Sequence, residues 1–194
     1  HRILGLGLSG TAPVGSQLWA PEFHEVDGDL YILFAANANN VNAWNGVQSY
    51  TMRLKPGGDP LVRADWEAPQ RVVDANGQPL TEYGTGITLD MTTFEAAGVQ
   101  YAMWSERRVP ASGSGPAVLK ISEIVPSTTG AWTLKGERST VTFPDRSWSA
   151  NTSPVAEGPF VIQRDGKVMI TFSGSNIDST YAVGLMTAES GADL

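Results

Sequence analysis

The sequence predicts an all-β chain of short antiparallel strands, and three observations carry that expectation. Gly and Pro recur along the whole length, 21 and 12 of them in 194 residues, so turns are frequent. Between them lie short runs rich in Val, Ile, Tyr, Phe and Trp, and no long stretch shows the apolar period of an amphipathic helix. Third, one strand, turn, strand pattern occurs three times: EVDGDLYILFA (25–35), EAAGVQYAMWS (95–105) and IQRDGKVMITFS (162–173). The turn glycines Gly28, Gly98 and Gly166 lie 70 and 68 residues apart. Three residues after each comes Tyr31, Tyr101 or Met169, and six after each comes Phe34, Trp104 or Phe172. A repeated antiparallel sheet of this size points to blades of a β-propeller. Closing a ring takes at least about four blades. Residues 1–194 therefore read as about three blades of a partial propeller, with repeat hairpins near 22–37, 90–105 and 157–173.

Each unit carries a carboxylate six to nine residues ahead of its glycine: Glu22 in WAPEFHEVDG, Asp90 in TLDMTTFEAAG and Glu157 in AEGPFVIQRDG. That spacing puts all three at or just before the start of a first strand. First strands are innermost in a propeller, so their starts gather around the axis on one face. Either the three acids converge there, or they reflect the acidity of the chain. Glu157 is the most telling, because it interrupts the apolar run PVAEGPFVI (154–162), where an unpaired buried carboxylate is costly.

The loops that follow the second strands rim the same face: NANNVNAWNG (37–46), SERRVPASGSG (105–115) and SGSNIDSTY (173–181). Trp44, Arg107 and Asn176 in them are candidate sugar-binding residues, since ring stacking and hydroxyl hydrogen bonds are what a sugar pocket uses. Trp104, at a repeat position, reads as core. STTGAWTL (127–134) reads as an outer strand with its turn.

Other function classes are disfavoured. A net charge of -7 from 13 basic and 20 acidic residues, without a basic run, argues against nucleic acid as a partner. The absence of cysteine removes disulfides, thiol nucleophiles and Cys-ligated metals. With only His1 and His24, a serine triad or a zinc site is poorly supplied, and His24 reads as a hydrogen-bonded structural residue. No cofactor is expected, although the Asp content is compatible with a structural calcium ion. No apolar stretch approaches the roughly 20 residues of a membrane span, so no membrane partner is expected. GLGLSG (5–10) spells a dinucleotide fingerprint, but Pro13, Gly15 and Pro21 stand where its helix has to begin. The chain opens on His1-Arg2, not Met, which leaves room for a secretory signal upstream.

LWAPEFHEVDGDLYILFAA, then ITLDMTTFE with YAMWSE, then FPDRSWSANTSPVAEGPFVIQRDGKVMITFSGS with YAVGLMTA, together resemble glycoside hydrolase family 43. Its exo-acting α-L-arabinofuranosidases are the most similar members. The resemblance implies a secreted, five-bladed propeller that hydrolyses arabinofuranosyl or xylosyl linkages of plant polysaccharide with inversion. It also implies that Asp90 matches the Asp that raises the pKa of the acid, and that Glu157 matches the general acid. Glu22 matches a second-blade glutamate outside the catalytic set. The family's base Asp on the first blade and its axial His on the fifth have no counterpart here. The chain thus resembles blades two to four, and these residues alone are expected not to turn substrate over. The chemistry agrees: inverting hydrolysis needs an acid that stays protonated, which an ionised Asp90 beside Glu157 supplies by repulsion. The alternative is a carbohydrate-binding propeller without turnover.

Overall fold

A computed structural model of the protein describes residues 14–38, 43–109, 113–150 and 153–189. The GLGLSG stretch and parts of the first two rim loops lie outside these residues. The regular structure is β throughout, apart from two single-turn 3-10 segments, with no α-helix among the described residues.

The strands form three antiparallel sheets. The first runs β1 (Val14–Val26), β2 (Asp29–Ala38), β3 (Val47–Arg53), β4 (Gln70–Arg71) in chain order. The second runs β5 (Gly86–Ala96), β6 (Val99–Arg108), β7 (Ala117–Pro126), with β8 (Trp132–Leu134) and β9 (Ser139–Thr142) both pairing with β7. The third runs β10 (Ala156–Arg164), β11 (Lys167–Gly174), β12 (Ala182–Glu189). STTGAWTL supplies β8 and its turn, as the sequence indicates.

The repeated turns are Asp27-Gly28, Ala97-Gly98 and Asp165-Gly166, and all six residues have φ between 51° and 81°. Two successive positive φ angles make a type I′ turn, whose twist matches that of the strands it joins. Gly takes this conformation freely and Asp tolerates it. Ala97 occupies it at a cost of about 1–2 kcal/mol.

The sheets stack face to face. β5 packs against β1, β2 and β3 on one side and against β10 on the other. Tyr31 and Leu33 of the first sheet meet Met91, Ala102, Trp104, Trp132 and Leu134 of the second. On the other face, Met103, Leu119 and Ile121 meet Val168, Ile170 and Phe172 of the third sheet. β6 is therefore buried on both faces, and its Trp104 is core, as its repeat position implies. Hydrogen bonds cross the same interfaces: the Ser49 N–H donates to Thr88 Oγ1 at 2.9 Å, and Ser105 Oγ donates to the Ala156 carbonyl at 2.9 Å. Sheets stacked in this way, with their first strands nearest the neighbouring sheets, are three blades of a β-propeller. The far face of the third sheet leaves Phe160, Ile162, Val183 and Leu185 exposed.

Leu33 is completely buried, whereas Leu185 is 61% exposed. Leu33→Ala is expected to lower the free energy of unfolding by about 2–5 kcal/mol. Leu185→Ala is expected to change it by no more than about 0.5 kcal/mol. Urea denaturation of both variants checks the assignment of the interface.

Candidate functional site

The innermost strand of each sheet breaks its register at a matching point, between Trp19 and Glu22 in β1, Leu89 and Thr92 in β5, and Glu157 and Phe160 in β10, and β1 has a further break between Val14 and Leu18. Inside each break sits a residue in the left-handed region: Ala20 (φ 44°), Asp90 (φ 53°) and Gly158 (φ 58°). Each precedes its turn glycine by eight residues, so the bulge is as regular a repeat as the hairpin. A bulge bends its strand and re-aims the neighbouring side chains.

This corrects the placement of Glu22 and Asp90. Glu22 and Asp90 lie inside their strands at the bulges, not at or before the strand starts, whereas Glu157 follows the first residue of β10 and so stands at the strand start, as expected. They also take three different offsets: Glu22 follows its bulge residue by two, Asp90 is the bulge residue, and Glu157 immediately precedes its own. One scaffold repeated three times thus presents three carboxylates in three settings.

The settings differ chemically. The Gly158 N–H donates to Asp90 Oδ2 at 2.9 Å, a bond that joins β10 to β5. Tyr181 Oη donates to Glu157 Oε1 at 2.6 Å. Glu22 Oε2 lies 2.6 Å from His24 Nε2. Burial is the main cause that pushes the Asp90 pKa up to about 7, with the charge of Glu157 second and that of Glu22 weaker, while the Gly158 N–H pulls the other way. Tyr181 is pushed up to about 12, first by burial and then by its hydrogen bond to Glu157. The sequence reading has Asp90 ionised beside a protonated Glu157. The structure instead raises Asp90, because burial acts on this carboxyl most strongly. The charge of Glu157 adds to that rise, so the proton is held on the Asp90 carboxyl.

The other candidates have partners of their own or are exposed. Trp44 is exposed on the 3-10 turn Trp44–Gly46, which packs against β2 and β5. Arg107 donates to the Gly115 carbonyl at 2.8 Å and to Ser153 Oγ at 3.3 Å, bracing the segment that enters β10. Asn176 donates to Asp178 Oδ2 at 2.7 Å within the β11–β12 loop. That same loop delivers Tyr181, which the sequence reading passes over in favour of Asn176. Its one local signal is the preceding Asp-Ser-Thr run, a pattern for side chain to backbone turns. Among the described residues no group of three or more His, Asp or Glu side chains is placed to hold a metal ion.

Asp90 binds its proton more tightly in the folded protein than at its ordinary value of 3.8. The stabilisation this gives is complete below about pH 4 and is lost as pH rises through about 7. The stability of Asp90→Asn relative to the native chain is therefore expected to improve from about pH 4 to about pH 8, by on the order of a few kcal/mol. Denaturant unfolding across that range tests this; a difference that does not vary with pH would leave Asp90 an ordinary surface acid.

The profile described as "Glycosyl hydrolases family 43" matches residues 8–193. The extracellular exo-alpha-(1->5)-L-arabinofuranosidase of Streptomyces avermitilis is 30% identical over 181 residues, which are 93% of this chain and 34% of that protein. Alpha-L-arabinofuranosidase 43 of Humicola insolens is 32% identical over 182 residues, with the same coverage of 93% and 34%. Among solved structures, alpha-L-arabinofuranosidase from Lactobacillus brevis superposes with a TM-score of 0.71 at 31% identity, covering 91% of this chain and 51% of that one. The chain thus spans about a third of the length of the two curated relatives and about half of the solved structure. Matched over nearly its whole length in sequence, and by a structure whose repeated sheets it shares, the chain belongs to glycosyl hydrolases family 43.

Proposed function

We propose that these residues form part of the active site of a secreted glycosidase that removes arabinofuranosyl groups from plant polysaccharide with inversion, with Glu157 as general acid and Asp90 as its charge partner. The observation that carries this reading is the bulge pair. Asp90 is held by the Gly158 N–H, immediately beside Glu157, and its pKa is pushed up to about 7, first by burial and then by the charge of Glu157. The names of the relatives support the substrate class, since those at 30% identity or above are arabinofuranosidases, two of them called extracellular.

In this reading Glu157 gives its proton to the glycosidic oxygen as the bond to the anomeric carbon lengthens, and the leaving sugar departs as a neutral alcohol. A water attacks the opposite face of the ring and loses its proton to a base that this chain does not supply. Asp90 disfavours a second negative charge, so the pair keeps its proton until a leaving oxygen develops enough charge to take it.

In the full-length protein, Glu157→Gln is expected to lower kcat/KM on arabino-oligosaccharides by roughly 10²–10⁴-fold. On 2,4-dinitrophenyl arabinofuranoside, whose leaving group needs little protonation, the loss is expected to be less than about tenfold. Asp90→Asn is expected to move the alkaline edge of the pH–rate profile down, since the repulsion that holds the proton is gone. Equal losses on both substrates for Glu157→Gln would remove it as the acid. A native protein that binds arabino-oligosaccharide without cleaving it would favour the carbohydrate-binding reading.

A further inference from the structure

An acid that transfers one proton has two oxygens to carry it, and the surroundings of Glu157 distinguish them. Tyr181 Oη donates to Oε1 at 2.6 Å, while among the described residues Oε2 has no hydrogen-bond partner. The loop that brings the phenol is braced. Asp178 accepts from the Thr180 N–H at 2.8 Å, from Thr180 Oγ1 at 2.7 Å and from Asn176 Nδ2 at 2.7 Å. Ser175, fully buried, meets Thr180 through its hydroxyl at 2.8 Å. The loop also springs from a paired position, Gly174 opposite Ala182, so Tyr181 enters directly from the β11–β12 ladder. A tyrosine held in this way serves as a fixed donor.

We infer that Tyr181 is the positioning residue of the proton-transfer step: its phenol occupies Glu157 Oε1 and directs the transferable proton to Oε2. This rests on the reading of Glu157 as general acid. An oxygen that accepts a hydrogen bond behaves as the carbonyl oxygen of the carboxylic acid, so the proton resides on the other one. Once that proton has gone to the leaving oxygen, the same phenol donates to a carboxylate, and the bond strengthens because its acceptor is now charged. Tyr181 thereby stabilises the ionised product of the step, opposing the charges around it. Those charges are Asp90 from β5 and, farther off, Glu22 of β1 with its partner His24; the neutral Ser173 hydroxyl of β11 stands beside the phenol.

The sign of this effect is opposite to that of Asp90. Without the phenol the carboxylate form is less favoured, so the acid holds its proton to higher pH and delivers it less readily. In the full-length protein, Tyr181→Phe is expected to move the alkaline edge of the pH–rate profile up and to lower kcat about tenfold or more on 4-methylumbelliferyl arabinofuranoside, with KM within about twofold. On the 2,4-dinitrophenyl substrate the loss is expected to stay below about threefold. Asp178→Ala, which loosens the loop and leaves the phenol in place, is expected to shift the edge in the same direction by less, and it keeps the test available should the phenylalanine variant fold poorly. An alkaline edge that stays put or moves down, or equal losses on the two aryl substrates, would overturn the assignment. Glu157→Gln measured alongside separates the two readings. If it shows the leaving-group split and Tyr181→Phe does not, only the role of Tyr181 fails. If Glu157→Gln shows no split, the acid assignment itself is lost.

Discussion

The site depends on one hydrogen bond between blades, from the Gly158 N–H to Asp90 Oδ2. Both ends of it are bulge residues with positive φ. A residue in the extended conformation would send its N–H along its own ladder. Turned into the left-handed region, Gly158 points its N–H at the neighbouring strand instead, and Gly is the residue that adopts this conformation without steric penalty. Pro159 follows and is buried. Having no N–H, it takes no part in the ladder at the point where the bulge breaks it, which is one of the few strand positions where Pro is tolerated. The combination Glu-Gly-Pro is thus a local solution: the Gly turns the donor, the Pro leaves no orphan, and Glu157 is aimed by the bend.

From that bond the electrostatics follow. Asp90 is held where burial penalises its charge, and Glu157 is next to it along the same contact, so the pair resists carrying two negative charges near neutral pH. The three carboxylates have distinct partners: an imidazole for Glu22, a backbone N–H for Asp90 and a phenol for Glu157. Among them, the proton affinity of Asp90 is raised, by burial first and by the charge of Glu157 second. The partners differ because each blade places its acid at a different offset from the same bulge.

Much of the fold was legible in the sequence. The turn glycines Gly28, Gly98 and Gly166 mark hairpins because type I′ turns require positive φ, and the residues three and six positions on declare their strands by type. Trp104 is readable as core for the same reason. The bulges were not legible, because Ala20, Asp90 and Gly158 share a conformation without sharing a chemistry. A strand pattern read at period two skips the extra residue, and Glu22 and Asp90 then seem to sit at strand starts. Asp90 and Glu157 stand out only when the apolar flanks and the family resemblance are read together. Tyr181 was hidden because its partner lies 24 residues away across the β11–β12 loop, a contact set by tertiary packing. Asn176 in the same loop looked more like a sugar ligand, yet it is engaged with Asp178.

The most direct test of the coupled pair is a pH titration of the aspartate carboxyl carbons by NMR, on full-length protein labelled with ¹³C at that position. One aspartate is expected to titrate with a midpoint near 7, well above the ordinary 3.8, and to disappear from the spectrum of Asp90→Asn. The same resonance is expected to titrate at lower pH in Glu157→Gln, where the neighbouring charge is gone. If every aspartate instead titrates in the ordinary range near 4, with none displaced by Glu157→Gln, then Asp90 and Glu157 do not share a proton and the site is not built around their pairing.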